Sequence, residues 1–254
     1  MHRIVRKRWK NMKTNTLILL LVFVWVILMA NIIWEGTNGK WRIEDVEKIA
    51  MLEAGKYTNQ MVVVAVTKDD AKLCFYEYVN DRGMKVMPNE NSGQWNLVFE
   101  TEARIGKNGI GKTKEGDGKT PIGVYRFIKA FGILENFDTK MEYTKIGNNH
   151  YWVDDGKSNY YNQFIDIEKV KKDWSSAEHL CEYGESYHYV LATSYNVEGI
   201  PGKGSAVFLH CMSNESGDTA GCIAIPEIYM KNLLKEIEAQ CVLIIDQKER
   251  ILNY

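Results

Sequence analysis

Two residues of this 254-residue chain have the types and spacing for covalent chemistry, His210 and Cys222. Cys222 sits in Thr219-Ala220-Gly221-Cys222-Ile223-Ala224-Ile225. The small side chains before the sulfur leave room for a bulky electrophile. Gly221 permits a backbone geometry closed to other residues, so the chain can turn sharply just before the thiol. Consecutive N–H groups at such a turn can receive a developing oxyanion. Thr219 is a candidate to hydrogen-bond within the turn. His210 ends the run SAVFLH, twelve residues before the cysteine. If SAVFLH and GCIAI lie side by side, joined by the polar loop 212–218, the imidazole comes close to the thiol and lowers its pKa, giving a nucleophilic thiolate.

The same residues allow blander readings. A His and a Cys twelve apart can be coincidence. His210, Cys211 and Cys222 are zinc-ligand types, but no C-x-x-C knuckle and no fourth ligand accompany them, so neither a metal nor another cofactor is expected. Cys74 and Cys241 fall in apolar strand runs and read as small core residues; Cys181 lies in an unpatterned region. Five cysteines are too few for a disulfide-built scaffold. An exported domain would still permit a bridge among these three.

Gly106-Lys-Asn-Gly-Ile-Gly111-Lys112-Thr113 fits the phosphate-loop pattern G-x-x-x-x-G-K-[ST]. That motif needs a helix directly after it. Here Lys114-Glu-Gly-Asp-Gly-Lys-Thr-Pro121 follows, rich in turn formers, so a glycine-rich loop between strands is the better reading.

The elements that must position these residues are mainly β. MVVVAVT (61–67) and KLCFYEYV (72–79) flank a turn at 68–71 and read as a hairpin. WNLVFET (95–101), GVYRFI (123–128), YHYVLATSY (187–195), SAVFLH (205–210) and CVLIID (241–246) have the same Val- and aromatic-rich texture. One later helix is predicted from Pro226, with Glu227 at the positive end of its dipole and Ile228, Leu233, Leu234 and Ile237 on a buried face. Residues 130–186 show little periodicity and read as a long insertion. The expectation is a single mainly-β (α+β) domain over 61–254, large enough to bury a real core.

Before it, residues 1–13 hold six Lys/Arg and no acid, and Thr14–Trp34 is a run of 21 residues without a charge. Such a run can cross a hydrocarbon core. The basic flank keeps 1–13 in the cytoplasm and places the rest outside, giving a single-pass anchor at 14–34 and a stalk at 35–60, with WRIEDVEKIAMLEAG at helical spacing. A cleaved signal peptide is the competing reading, but no good small-x-small site follows the run. Removing the six basic residues of the tail leaves 26 basic against 33 acidic side chains. An acidic body argues against a nucleic-acid partner.

GSAVFLHC…TAGCIAIP resembles the L,D-transpeptidase catalytic domain (YkuD-like) family. GKNGIGKTKEGDGKTPIGVYRF is similar to that family's glycine-rich entry to a TP-x-G strand. The pattern of Trp152, Asp154, Asp155, Ser158, Tyr161-Asn162 and Tyr195-Asn196 is similar too. The likeness spans about 61–246. It implies a largely β sandwich or mixed-sheet catalytic fold, Cys222 as nucleophile, His210 as its proton acceptor, and a peptidoglycan stem tetrapeptide as acyl donor. Attack on the third residue's carbonyl would release D-alanine. Transfer to a side-chain amine of a neighbouring stem would give a 3→3 cross-link, and transfer to water would make the protein an L,D-carboxypeptidase. A non-catalytic wall-binding protein of the same fold is the third reading. Trp152 and Tyr189 are candidates to line a stem-peptide groove, although aromatics in strands more often fill core. Two positions depart from the family pattern: Ala220 stands where many members carry His, and Ala224 where many carry Arg. The loop from His210 to Cys222 is short. The missing guanidinium would bind a substrate carboxylate or order the loop; Lys119 and Lys203 are the nearest candidates to replace its charge.

Overall fold

The computed structural model describes residues 52–88, 92–135, 138–213 and 217–254. The predicted anchor at 14–34 and the helical spacing before residue 52 lie outside these. No helix among the described residues is long and apolar enough to cross a membrane.

MVVVAV forms β1 (Gln60–Val66), whose residues are all buried. A strand covered on both faces needs such an unbroken apolar run. The turn predicted after it is present: the Thr67 N–H donates to Asp70 O at 2.8 Å, and β2 (Ala71–Val79) returns antiparallel. β3 (Gln94–Ala103) pairs with β2, and β4 (Gly123–Gly132) follows the glycine-rich loop. β5 (Tyr143–Lys145) lies on β4. β9 (Val190–Thr193), β10 (Phe208–Cys211), β11 (Ile223–Ile225) and β12 (Val242–Gln247) complete a nine-stranded sheet in the order β11-β10-β9-β4-β12-β1-β2-β3, with β5 beside β4. The two ends of that order meet. Just past β3, Arg104 exchanges N–H···O bonds with Ala224 of β11, at 2.8 and 2.9 Å. The sheet is thus nearly closed, which satisfies backbone groups that an open edge would leave bare.

The region 130–186 is not shapeless. β6 (His150–Val153), β7 (Phe164–Asp166) and β8 (Ala177–His179) form a second sheet in the order β7-β6-β8. Their short lengths hide the period-2 signal. Phe131, Trp152, Tyr187 and Phe208 build one aromatic core between the two sheets. YHYVLATSY shortens to four strand residues because Leu180–Tyr187 is a 3-10 turn. SAVFLH shortens because Ala206, at φ 52°, takes the chain out of extended geometry.

Two further expectations change. The predicted helix is α1 (Glu227–Glu236), with Pro226 extended at its N-cap. It buries Met230, Leu233, Leu234 and Ile237, whereas Ile228 is 61% exposed. At 3.6 residues per turn, Ile228 falls opposite that stripe. The described end of the predicted stalk belongs to the domain as well. Leu52 is buried, the Ala54 N–H donates to Tyr254 O at 3.2 Å, and the Thr58 hydroxyl donates to Gln240 O at 2.9 Å. A 3-10 turn at Glu53–Tyr57 carries no strand periodicity to mark this start.

Candidate active site

β10 and β11 run parallel as neighbours, with Leu209 opposite Ile223 and His210 opposite Ala224. Cys222, one residue before β11, therefore stands opposite Phe208. His210, two residues along from Phe208, projects from the same face.

The turn before Cys222 is held from several sides. The Thr219 hydroxyl donates to Cys222 O at 2.7 Å and accepts the Gly221 N–H at 3.1 Å. Gly221 has φ 148°, and a Cβ there would sit 2.9 Å from Lys119 O, so only glycine fits. Fully buried Thr120 donates to Gly221 O at 2.9 Å and accepts the Gly106 N–H at 2.9 Å. Upstream, the Thr219 N–H donates to Ile105 O and the Lys107 N–H to Thr219 O, both at 2.9 Å. The glycine-rich segment is thus the wall that clamps the cysteine turn. No helix follows it, as a phosphate loop would require. Asp117 holds it in shape by accepting the N–H groups of Thr113, Lys114 and Lys119 and the Lys112 ammonium at 3.0 Å. Burial works against its ionised form, but these donors prevail and keep the carboxyl well below the usual range.

The Cys222 thiol donates to Ala206 O at 3.1 Å, and the Phe208 N–H donates to its sulfur at 3.3 Å. Burial, reinforced by the nearby Glu178 carboxylate, pushes its pKa up to about 12, against the Phe208 N–H and the Lys112 charge. His210 is buried, its ring edge-on to Tyr187 with centroids 5.7 Å apart. Its Nδ1 lies 2.8 Å from Cys211 O. Burial lowers its pKa, and the carbonyls of Cys211 and Ser186 oppose that. Among the described residues no hydrogen bond joins His210 to Cys222. The two occupy one face, both against the aromatic cluster of Tyr187 and Phe208, but in this resting arrangement the thiol gives its proton to backbone. The zinc set of the sequence reading is not assembled, because His210 and Cys211 are strand neighbours and face opposite sides of the sheet.

Cys222, Gly221 and Ala220 line a cavity of about 120 Å³, with Lys112, Glu115, Asp154, Glu178, Ser205 and Ala206 among its other walls. Glu178 accepts the Tyr187 hydroxyl at 2.7 Å. Burial raises its pKa to about 7; the Tyr187 hydroxyl opposes this, and the carboxylates of Asp154 and Glu115 add to it. Neither Trp152 nor Tyr189 lines this cavity. Trp152 is buried, packed edge-on to Phe208 with ring centroids 4.7 Å apart, its indole N–H on Asn162 Oδ1 at 2.9 Å. Tyr189 is buried in the main core.

Several residues of the site lay beyond the sequence reading. Thr120, Lys112 and Glu178 had no assigned role, and Asp154 entered only as part of a pattern. Arg104 stands beside position 224 through its backbone pairing, and its guanidinium donates to Ser213 O at 3.4 Å. Lys203 Nζ lies 6.0 Å from the centroid of the Tyr195 ring. A thiol–imidazole contact elsewhere was also unforeseen. Cys181 Sγ is 3.2 Å from His179 Nε2, and His179 Nδ1 is 2.8 Å from Glu182. This trio lies outside the cavity, with His179 stacked on Tyr151 at 4.4 Å.

The model of the L,D-transpeptidase catalytic domain, YkuD, matches residues 61–245. Among solved structures, "Structure of the Ldtfm-avibactam carbamoyl enzyme" is similar at 11% identity and a TM-score of 0.34, covering 75% of this chain. The likeness takes in 49% of that chain, so about half of its length is spanned. No curated protein sequence matches. The family match runs from β1 into β12 and includes the cysteine turn, the strand that carries His210 and the loop that clamps them: the chain belongs to the L,D-transpeptidase catalytic domain (YkuD) family.

Proposed function

We propose that the protein is an extracytoplasmic L,D-transpeptidase, anchored by residues 14–34, that joins peptidoglycan stem peptides through a thioester on Cys222. The observation that carries this reading is the placement of Cys222 in the cavity wall, on a turn fixed by Thr120, Thr219 and Gly221. The basic cluster before an uncharged run of 21 residues supports the anchor and the compartment.

Rotation of the Cys222 side chain away from Ala206 O turns the thiol towards His210. His210 takes the proton, and the carbonyls at its ring stabilise the imidazolium. The thiolate attacks the carbonyl of the third stem residue. The tetrahedral oxyanion collapses as the D-alanine amine leaves with the proton from His210, and a thioester remains. An amine of a second stem then attacks, the thiolate departs, and the amine's proton returns through His210 to the sulfur. With water as the acceptor the same sequence gives a free tripeptide.

The test is mass spectrometry of the full chain incubated with a tetrapeptide stem. A thioester on the Cys222 peptide and a dimeric product are expected from wild type and from Cys181→Ala. Neither is expected from Cys222→Ala. His210→Gln should slow acylation by roughly 10²–10⁴, the usual worth of a positioned proton acceptor. Undiminished turnover in Cys222→Ala, or an adduct on Cys181, would overturn the reading. Tripeptide without dimer would assign hydrolysis instead.

A further inference from the structure

We propose that the cavity beside Cys222 is a subsite for an alkylammonium group, gripped by Asp154 and Glu178. The cavity of about 120 Å³ has room for the end of an aminoalkyl chain.

Its walls carry three carboxylates, from Glu115, Asp154 and Glu178, against the one ammonium of Lys112. Most of these are already engaged. Lys112 is paired with Asp117 at 3.0 Å. Glu115 accepts the hydroxyls of Tyr161 at 2.6 Å and Ser205 at 2.8 Å. Glu178 accepts the Tyr187 hydroxyl through one oxygen only. Asp154 stands apart: its Oδ1 is buried and has no hydrogen-bond partner among the described residues. A buried acceptor without a donor is costly to keep, and the residue that carries it lines the same cavity as Cys222. The missing partner must be a donor, and the acidic walls favour a cation. The described residues hold no group of three or more His, Cys, Asp and Glu arranged for a metal ion. An ammonium brings one positive charge and three N–H donors, enough for Asp154 Oδ1 and the Glu178 carboxylate together.

Occupancy has a consequence for the sulfur. The Glu178 charge is one of the forces that keep the thiol protonated in the empty site. A cation between the carboxylates cancels it, so the ligand itself favours the thiolate. The free protein keeps a protected thiol, and substrate arrival activates it.

This rests on the transpeptidase reading for the identity of the amine, which is then the side-chain amine of a stem's third residue, in the donor or in the acceptor. The binding arm of the test is independent of that reading. The full chain in detergent is titrated with butylammonium and with butan-1-ol by ligand-observed NMR. Butylammonium should bind at least tenfold more tightly than the alcohol, and Asp154→Asn and Glu178→Gln should each remove that preference. Equal binding of the two probes to wild type overturns the proposal, even if neither variant folds. A preference that survives in folded Asp154→Asn does so too. The reaction arm identifies the source. If acetylating the donor's side-chain amine slows thioester formation about tenfold in wild type, and not in Asp154→Asn, the donor supplies the ammonium. If instead Asp154→Asn raises the acceptor KM about tenfold against hydrolysis, the acceptor supplies it. If no thioester forms on Cys222, the nucleophile assignment falls while the binding arm still decides the subsite.

Discussion

The Cys222 sulfur is held between the Ala206 carbonyl, just before β10, and the Phe208 N–H at its start. With its pKa pushed up to about 12 by burial and by Glu178, it should resist alkylation at neutral pH. Iodoacetamide labelling of Cys222, read by peptide mass spectrometry, should therefore keep rising beyond pH 9 instead of levelling near the ordinary thiol value of about 8.5. Glu178→Gln removes a like charge and should speed labelling at pH 9 several-fold. A plateau near pH 8.5 in wild type would contradict this environment. Cys181, partly exposed and beside His179, is the internal comparison. At this scale the thiol and the imidazole were legible as a candidate pair, because a glycine before a cysteine and a histidine near a strand end are local features. Glu178 and Asp154 were not, since a carboxylate's role depends on which walls surround it.

At the scale of elements, the cysteine turn owes its shape to a loop about a hundred residues away in sequence. Thr120 bridges Gly106 and Gly221 from a fully buried position. Thr120→Val keeps the shape and leaves these groups unpaired, so it should cost about 1–3 kcal/mol of stability and slow acylation; thermal melting and thioester formation measure the two effects. Gly221→Ala should be more damaging to activity than to folding elsewhere, because the Cβ meets Lys119 O at 2.9 Å and φ is 148°. Strain of this kind costs about 1–3 kcal/mol. A variant that acylates at the wild-type rate would show that the turn geometry is unimportant. The strands around the site were readable from their Val and aromatic runs. Their ends were not: Ala206 leaves the strand at φ 52°, and the second sheet is built from strands of three and four residues, too short for alternation to register.

For the whole molecule, closure of the sheet between Arg104 and Ala224 brings both halves of the site together. Two carboxylates then give stability opposite pH dependences. The folded pKa of Glu178 is raised to about 7, so its burial is harmless below its unfolded value. As pH rises from about 4.5 to 7 it destabilises the fold, by up to about 3 kcal/mol. Asp117 is held below its unfolded value, so its contribution is present above about pH 4 and is lost as pH falls. Chemical denaturation at pH 5 and pH 8 should show wild type losing stability that Glu178→Gln retains. Asp117→Asn should narrow its deficit against wild type between pH 6 and pH 3. No difference in pH response between wild type and Glu178→Gln would remove the buried carboxylate from the account.

The sequence by itself determined a mainly-β domain, a thiol and an imidazole beside two apolar strand runs, and the rejection of the phosphate-loop reading. Each follows from local rules: periodicity, glycine before a reactive residue, proline and turn formers where a helix would be needed. Only the tertiary structure decided that the glycine-rich loop clamps the cysteine turn, that Trp152 and Tyr189 fill core, and that an acidic cavity opens beside the sulfur. Those facts depend on pairings between segments far apart in the chain, and on burial, which sets how strongly one charge acts on another.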